Sequence, residues 1–210
     1  MIIVIDYGMG NAASIVKMVA KVGGEARISK CPEDVLAADK LILPGVGAFD
    51  LGMSGLRQSG LAEALNHRVV REKCPILGIC LGVQLFCHGS EEGKLSGLGW
   101  IDAEVRRFSI QANSTLRIPH MSWNTVAPTP QGESMFRAMD PRARYYFVHS
   151  YHLVCAQESD VAGYTIYGSR FAAAVVRHNI WGTQFHPEKS LSHGMRVMQN
   201  FIHHHPLSTS

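Results

Sequence analysis

No stretch of this 210-residue chain approaches the ~20 consecutive apolar residues that a membrane span requires. The opening apolar run, Ile2 to Ile5, stops at Asp6, too soon for a signal peptide. Cysteine is scarce: Cys31, Cys74, Cys80, Cys87 and Cys155 are odd in number and form no C-x-x-C pair. That pattern argues against a disulfide framework and a zinc knuckle, and for a cytoplasmic, reducing setting. Charge of one sign is lacking too. The formal net charge is only +3, with no long basic run, and the pair Arg106-Arg107 reads as solvated surface. Neither nucleic acid nor membrane is therefore expected as a partner. There is no internal repeat, low-complexity tract or linker. The length suits one sizeable core and is short for two domains. The expectation is a single domain over 1–202 with a short tail over 203–210.

What is present begins with strands that alternate with helices. Ile2–Asp6 reads as a buried strand, followed by the loop Tyr7-Gly8-Met9-Gly10-Asn11 and a helix to about Val22. Ala26–Ile28 and Lys40–Leu43 read as strands, the second ending at Pro44-Gly45-Val46-Gly47. Leu61, Leu65 and Val69 recur every fourth residue and mark a helix with one apolar face. Pro75–Ile79 reads as a further buried strand and Leu81–His88 as helix. The second half is richer in strands, at Glu104–Phe108, Thr125–Ala127, Tyr145–Val148, Gly163–Tyr167, Ala172–Val176 and Ile180–Gln184. Val197, Met198, Phe201 and Ile202 then share one helical face. The pattern predicts an α/β fold: an open, mostly parallel sheet flanked by helices, with an antiparallel extension.

The sharpest local signal is Gly78-Ile79-Cys80-Leu81-Gly82, where a buried strand meets a helix. A sharp strand-to-helix turn pushes its central side chain out of the sheet, and flanking glycines tolerate the crowding. The helix N-terminus favours thiolate, the reactive form of cysteine. In isolation such a cysteine is more often a small buried hydrophobe. Two further segments shift the balance. In Gln184-Phe185-His186-Pro187-Glu188, residues two apart in extended backbone share a side, so Glu188 can orient His186 and His186 can take the proton of Cys80. In Pro44-Gly45-Val46-Gly47, a turned peptide can offer an oxyanion donor, worth roughly 2.7–4 kcal/mol of barrier. All three segments fall at the carboxyl ends of predicted parallel strands, where ligands gather in open sheets.

Together, Gly-Ile-Cys-Leu-Gly-Val-Gln (78–84) and Phe-His-Pro-Glu-Lys-Ser (185–190) resemble the triad-type, class I glutamine amidotransferases. The segments 6–11, 44–47, Pro119-His120-Met121-Ser122-Trp123-Asn124 and Phe147-Val148-His149-Ser150-Tyr151-His152 narrow the resemblance to the glutaminase subunits of imidazole glycerol phosphate synthases. It covers Met1 to about Ile202. The resemblance implies Cys80 as nucleophile, His186 as general base and acid, and Glu188 as its partner. It implies an oxyanion hole from the backbone of Leu81 and the Gly45–Val46 region. Gln84, with backbone around Gly47 and His149, Ser150 and Tyr151, would hold glutamine. The segment carrying His120, Trp123 and Asn124 would face a separate (β/α)₈-barrel synthase, which receives the ammonia on the histidine pathway. Neither a metal nor an organic cofactor is implied. Two features depart from that picture. Ser122 replaces a usual glycine, and Glu188–Met195 resembles paralogues that feed ammonia to a sugar nucleotide in surface-polysaccharide synthesis.

Two rival readings are weighed against this one, and two other features take plain structural readings. A cysteine peptidase of similar fold would share the bend at Cys80 but would not need Gln84 or the 119–124 segment. A binding subunit with a relic site would be expected to lack one of Cys80, His186 and Glu188, and all three are present. His203-His204-His205 reads as a polar helix end and not a metal site. Cys87, seven residues after Cys80 on the same predicted helix, reads as core, with a resolving thiol as the alternative.

Overall fold

A computed structural model of the chain describes residues 1–111 and 114–204. The first half runs β1 (Ile2–Ile5), α1 (Ala12–Lys21), β2 (Ala26–Ser29), α2 (Pro32–Leu36), β3 (Lys40–Gly45) and α3 (Phe49–Gln58). It continues with α4 (Leu61–Leu65), prolonged as a π-helical turn over Asn66–Arg71, then β4 (Ile76–Cys80) and α5 (Leu81–Gln84). The second half carries β5 (Gly89–Ser90), β6 (Ala103–Arg107), β7 (His120–Thr125), β8 (Ala127–Pro128) and β9 (Arg144–His149). It closes with β10 (Tyr151–Cys155), β11 (Val161–Tyr167), β12 (Ser169–Arg177), β13 (Ile180–Thr183) and α6 (Leu191–His203). No helix among the described residues is long and apolar enough to cross a membrane.

The parallel part of the sheet has the order β2-β1-β3-β4-β13. Strand β12 pairs antiparallel with β13 and leads on to β10, β6 and β5, with β11 and β8 attached at its side. This is the α/β architecture with an antiparallel extension that the sequence predicts. One pair stands apart from it: β7 and β9 form a separate two-stranded sheet, with His120 opposite His149.

Side-chain alternation gives the sheet two apolar faces. Ile3, Ile5, Leu41 and Leu43 pack with Phe49, Met53 and Leu56 of α3 and with Leu61 and Leu65 of α4. Ile2, Val4 and Ile42 pack on the other side with Ile15, Met18 and Val19 of α1 and with Val197, Met198 and Phe201 of α6. Lys40 is a buried cation with a structural task. Its Nζ donates to the carbonyls of Phe201 at 2.9 Å, Ile202 at 2.7 Å and His204 at 2.5 Å, closing the open end of α6.

Several boundaries differ from the sequence reading. The helix expected over Leu81–His88 ends at Gln84. The turn tightens there, Phe86 N–H donating to Val83 and Cys87 N–H to Gln84, and His88 N–H leaves the helix for the Ala103 carbonyl at 2.9 Å, while the 97–101 loop pairs with the carbonyls of 85–88 that a helix end leaves open. Cys87 therefore lies beyond the helix that follows Cys80, fully buried, with its pKa raised by burial. The strand expected at Thr125–Ala127 divides into β7 and β8. Helices α2 and α3 and strand β10 have no counterpart in the sequence reading. His203 closes α6, and the rest of the expected tail, including His205, lies outside the described residues apart from His204.

Candidate active site

Strand pairing alone brings the three sequence segments together. Gly45, last in β3, sits in register with Cys80, last in β4, and Thr183 of β13 sits opposite Ile79. Cys80 adopts φ 54°, ψ −111°, a sparsely populated conformation for a residue with a Cβ. Such backbone costs on the order of 1–3 kcal/mol and persists only where packing enforces it. The enforcing contacts are visible at the flanking glycines. A Cβ at Gly78 would stand 2.5 Å from the Phe86 ring, and one at Gly82 would overlap the carbonyl oxygen of Leu43. The bend thus lets α5 descend onto β3, with Cys80, a residue only 6% exposed, at its head.

His186 follows β13 and is held from both sides. Its N–H donates to the Tyr146 carbonyl at 2.9 Å, and its own carbonyl accepts from Ser190 Oγ at 2.6 Å. Ser190 Oγ in turn accepts from Tyr146 N–H at 2.9 Å, so the turn is pinned to β9. His186 Nδ1 lies 2.7 Å from Glu188 Oε1, and both side chains are almost wholly buried. Nδ1 is therefore the protonated nitrogen facing the carboxylate, leaving Nε2 for the sulfur. Nε2 is buried and has no formed hydrogen bond. Burial opposes a charge on His186, but the facing Cys80 sulfur and the Glu188 carboxylate outweigh it and raise the imidazole pKa above its ordinary 6.5. Loose nucleophile–base contacts of this kind tighten when substrate fills a site.

In front of the sulfur lies a cavity of about 530 Å³, lined by Val46, Gly47, Ala48, Cys80, Leu81, Gln84, Glu92, Pro119 and the run from Val148 to Tyr151. The volume fits a small molecule of amino-acid size. Every residue expected to hold substrate, Gly47, Gln84, His149, Ser150 and Tyr151, is on this wall. So are Val46 and Leu81 of the expected oxyanion hole, with Gly45 immediately behind, paired to Cys80. A Cβ on Gly45 would collide with the Tyr7 hydroxyl and stand 2.9 Å from the backbone nitrogen of Gly82. Only glycine lets the strand run this close to the bend.

The three residues expected at a partner surface divide. Trp123 and Asn124 are partly exposed on β7, beside exposed Met121 and Ser122. His120 is not at the surface. It is fully buried, stacked between Tyr167 at 4.0 Å and Phe147 at 4.8 Å, because β7 turns that position inward against the aromatic cluster. Its Nδ1 lies 3.2 Å from His149 Nε2, and His149 Nδ1 lies 2.7 Å from the Tyr151 carbonyl. Burial pulls the pKa of His120 down to about 4 and that of His149 down to about 3, so both rings are neutral.

Some residues of the site carry no distinct sequence signal. Glu92 sits in the irregular run after β5, and its Oε2 accepts from Phe49 N–H at 2.9 Å. Tyr7 brings a buried hydroxyl without a partner to Gly45. Gln184 is 1% exposed and reaches both Cys80 and Gln84. Two of them had a cue in their segment: Gln184 in the one that carries His186, and Tyr7 in the 6–11 loop.

The comparisons with known proteins place the chain in a family. A family model described as glutamine amidotransferase class-I matches residues 3–205. The chain belongs to the class-I glutamine amidotransferases. Within them it is 48% identical to the imidazole glycerol phosphate synthase subunit HisH 2 of Methanococcus maripaludis, over 96% of this chain and 98% of that protein. It is 46% identical, with the same coverage, to the protein of the same description from Pseudomonas aeruginosa. A solved structure described as a glutamine amidotransferase shares the fold, with a TM-score of 0.69 at 19% identity over 95% of this chain and 96% of that one.

Proposed function

We propose that this chain is the glutaminase subunit of an imidazole glycerol phosphate synthase, acting in the cytoplasm and passing ammonia to a separate (β/α)₈-barrel synthase subunit on the histidine pathway. The observation that carries the reading is the meeting of Cys80, His186 and the 2.7 Å His186–Glu188 contact at a cavity of amino-acid size. The near full-length similarity to synthase subunits supports the choice among amidotransferases.

The chemistry follows from the placements. Glu188 holds Nδ1–H, so Nε2 takes the Cys80 proton. The thiolate attacks the side-chain amide carbon of glutamine, and the amide oxygen becomes an oxyanion. The Leu81 N–H, at the start of α5, and a peptide N–H of the Gly45–Val46 segment stabilise it. Imidazolium Nε2–H protonates the departing nitrogen. Ammonia leaves, and a glutamyl thioester remains on Cys80. His186 then deprotonates water, which attacks the thioester and releases glutamate. Gln84 and the 149–151 backbone hold the substrate, and Glu92 is the carboxylate on the cavity wall suited to its α-ammonium.

Ammonia is mostly ammonium near neutral pH and then no nucleophile, so an acceptor enzyme must dock over the site. The exposed edge of β7, with Met121, Trp123 and Asn124, is the surface for that docking. The test is glutamate release from glutamine, measured with and without a histidine-pathway barrel subunit and its nucleotide acceptor. Slow turnover alone and a large rise on reconstitution are expected, because the Gly45–Val46 peptide has freedom to idle with its N–H turned away. Equal rates in both conditions would remove the partner from the account. Reconstitution that yields no imidazole glycerol phosphate would remove this acceptor.

A further inference from the structure

We propose that Gln184 is a functional residue of this site, its amide nitrogen donating to the Cys80 sulfur and its amide oxygen fixing Gln84 with that residue's oxygen toward the cavity. The proposal rests on the glutaminase reading for its account of substrate, but the contact with sulfur stands without it.

The argument starts from a group that can only accept. The Tyr151 carbonyl receives His149 Nδ1 at 2.7 Å and Gln84 Nε2 at 3.1 Å. That assigns the Gln84 carboxamide: turned the other way, it would set oxygen against oxygen. Gln84 Nε2 spends its second hydrogen on Gln184 Oε1 at 3.0 Å. With both hydrogens used, what Gln84 offers the cavity it lines is its oxygen. It therefore recognises a donor on the ligand, an ammonium or amide N–H group. The same contact assigns Gln184. Its oxygen faces Gln84, so its nitrogen is the atom 3.8 Å from Cys80 Sγ. A one-way chain of donors thus runs from a fixed carbonyl, through two carboxamides, to the nucleophile. Gln184 has no freedom to reverse it, being 1% exposed and tethered by its own N–H to the Ala173 carbonyl at 2.8 Å.

A donor on sulfur matters because it acts on one protonation state more than the other. Hydrogen bonds to an anion are stronger than those to a neutral acceptor, so the contact favours thiolate over thiol. The other titratable groups that act on Cys80 are His186, backed by Glu188, and the buried Tyr7 hydroxyl. The carboxamide adds to His186 a donor that does not titrate.

The test is the rate of iodoacetamide alkylation of Cys80 against pH on the full chain, read by mass spectrometry of the Cys80 peptide so that other thiols do not count. Gln184→Met removes both donor and acceptor. Gln184→Glu keeps an acceptor for Gln84 and removes the donor to sulfur. Both variants are expected to be alkylated roughly tenfold more slowly at pH 7. The KM for glutamine, with the barrel subunit present, is expected to rise in Gln184→Met and to stay near wild type in Gln184→Glu. Alkylation profiles that coincide with wild type in correctly folded Gln184→Met would overturn the sulfur contact. Equal KM changes in the two variants would overturn the orienting role. A wild type that releases no glutamate with its partner would defeat the glutaminase reading, while the alkylation profiles would still judge Gln184.

Discussion

Replacing Gly82 by alanine tests how tightly the bend at Cys80 is built. Gly82 is the second residue of α5, and on helix propensity alone the change would gain about 1 kcal/mol. The structure sets a larger opposing effect. The new methyl would overlap the Leu43 carbonyl oxygen and stand 2.9 Å from its carbon. Those atoms are backbone of a buried strand and cannot rotate aside. Overpacking of this kind costs ~1–3 kcal/mol or more, and a backbone obstacle places it at the upper end. The net expectation is a loss of about 2 kcal/mol, or a fall in Tm of about 4–8 °C for a chain of this size. Urea and thermal unfolding measure it, with Gly89→Ala as the control. There the nearest atom is Glu104 Oε2 at 3.6 Å, an ordinary contact, and the expected change is within about 0.5 kcal/mol. Glutamate release by Gly82→Ala should fall as well, since relief of the clash moves the Leu81 N–H away from β3. Wild-type stability in Gly82→Ala, or an equal loss in the control, would refute the close-packing argument.

Three other outcomes are expected. Glu188→Gln presents an amide N–H₂ group to His186 Nδ1 and favours the wrong tautomer, so kcat should drop roughly 10²- to 10⁴-fold with little change in KM, read by steady-state glutamate release. His120 and His149 resist protonation in the fold until about pH 4 and about pH 3, whereas the unfolded chain takes up those protons from about pH 6.5 downward. Their contribution is present above that pH and lost as pH falls, by up to about 1.4 kcal/mol per pH unit for each ring. Urea midpoints of His149→Phe should therefore decline less between pH 7 and 5 than those of wild type. Lys40→Met removes the donor shared by three carbonyls at the end of α6 and should cost about 2–3 kcal/mol in urea unfolding without changing the glutamine KM.

How much of this could be read in the chain depends on range. The bend at Cys80 and the turn at His186 are written in five or six adjacent residues each, and β3, β4 and β13 announce themselves as short buried runs between turn signals. Given parallel pairing, their carboxyl ends had to meet. Helix α3 was hidden because Gly52 and Gly55 dilute its propensity, although Phe49, Met53 and Leu56 do line one face. Strand β10 was hidden because only Ser150 separates it from β9, with no glycine or proline to mark the corner. The early stop of α5 depends on β6, whose Ala103 carbonyl takes the His88 N–H out of the helix. The burial of His120 likewise depends on Tyr167 and Phe147, from strands the local sequence does not name. The donor chain through Gln84 and Gln184 joins residues 100 positions apart, and only the folded arrangement reveals which way each amide points.

The central claim is that the Cys80 sulfur is acylated by the side chain of glutamine. Rapid quenching of the enzyme with glutamine and its barrel partner, followed by mass spectrometry of the peptide that carries Cys80, observes this directly. A glutamyl adduct on that peptide is predicted in wild type, and its absence, with ammonia release abolished, in Cys80→Ala. Ammonia release by Cys80→Ala at the wild-type rate would contradict the account.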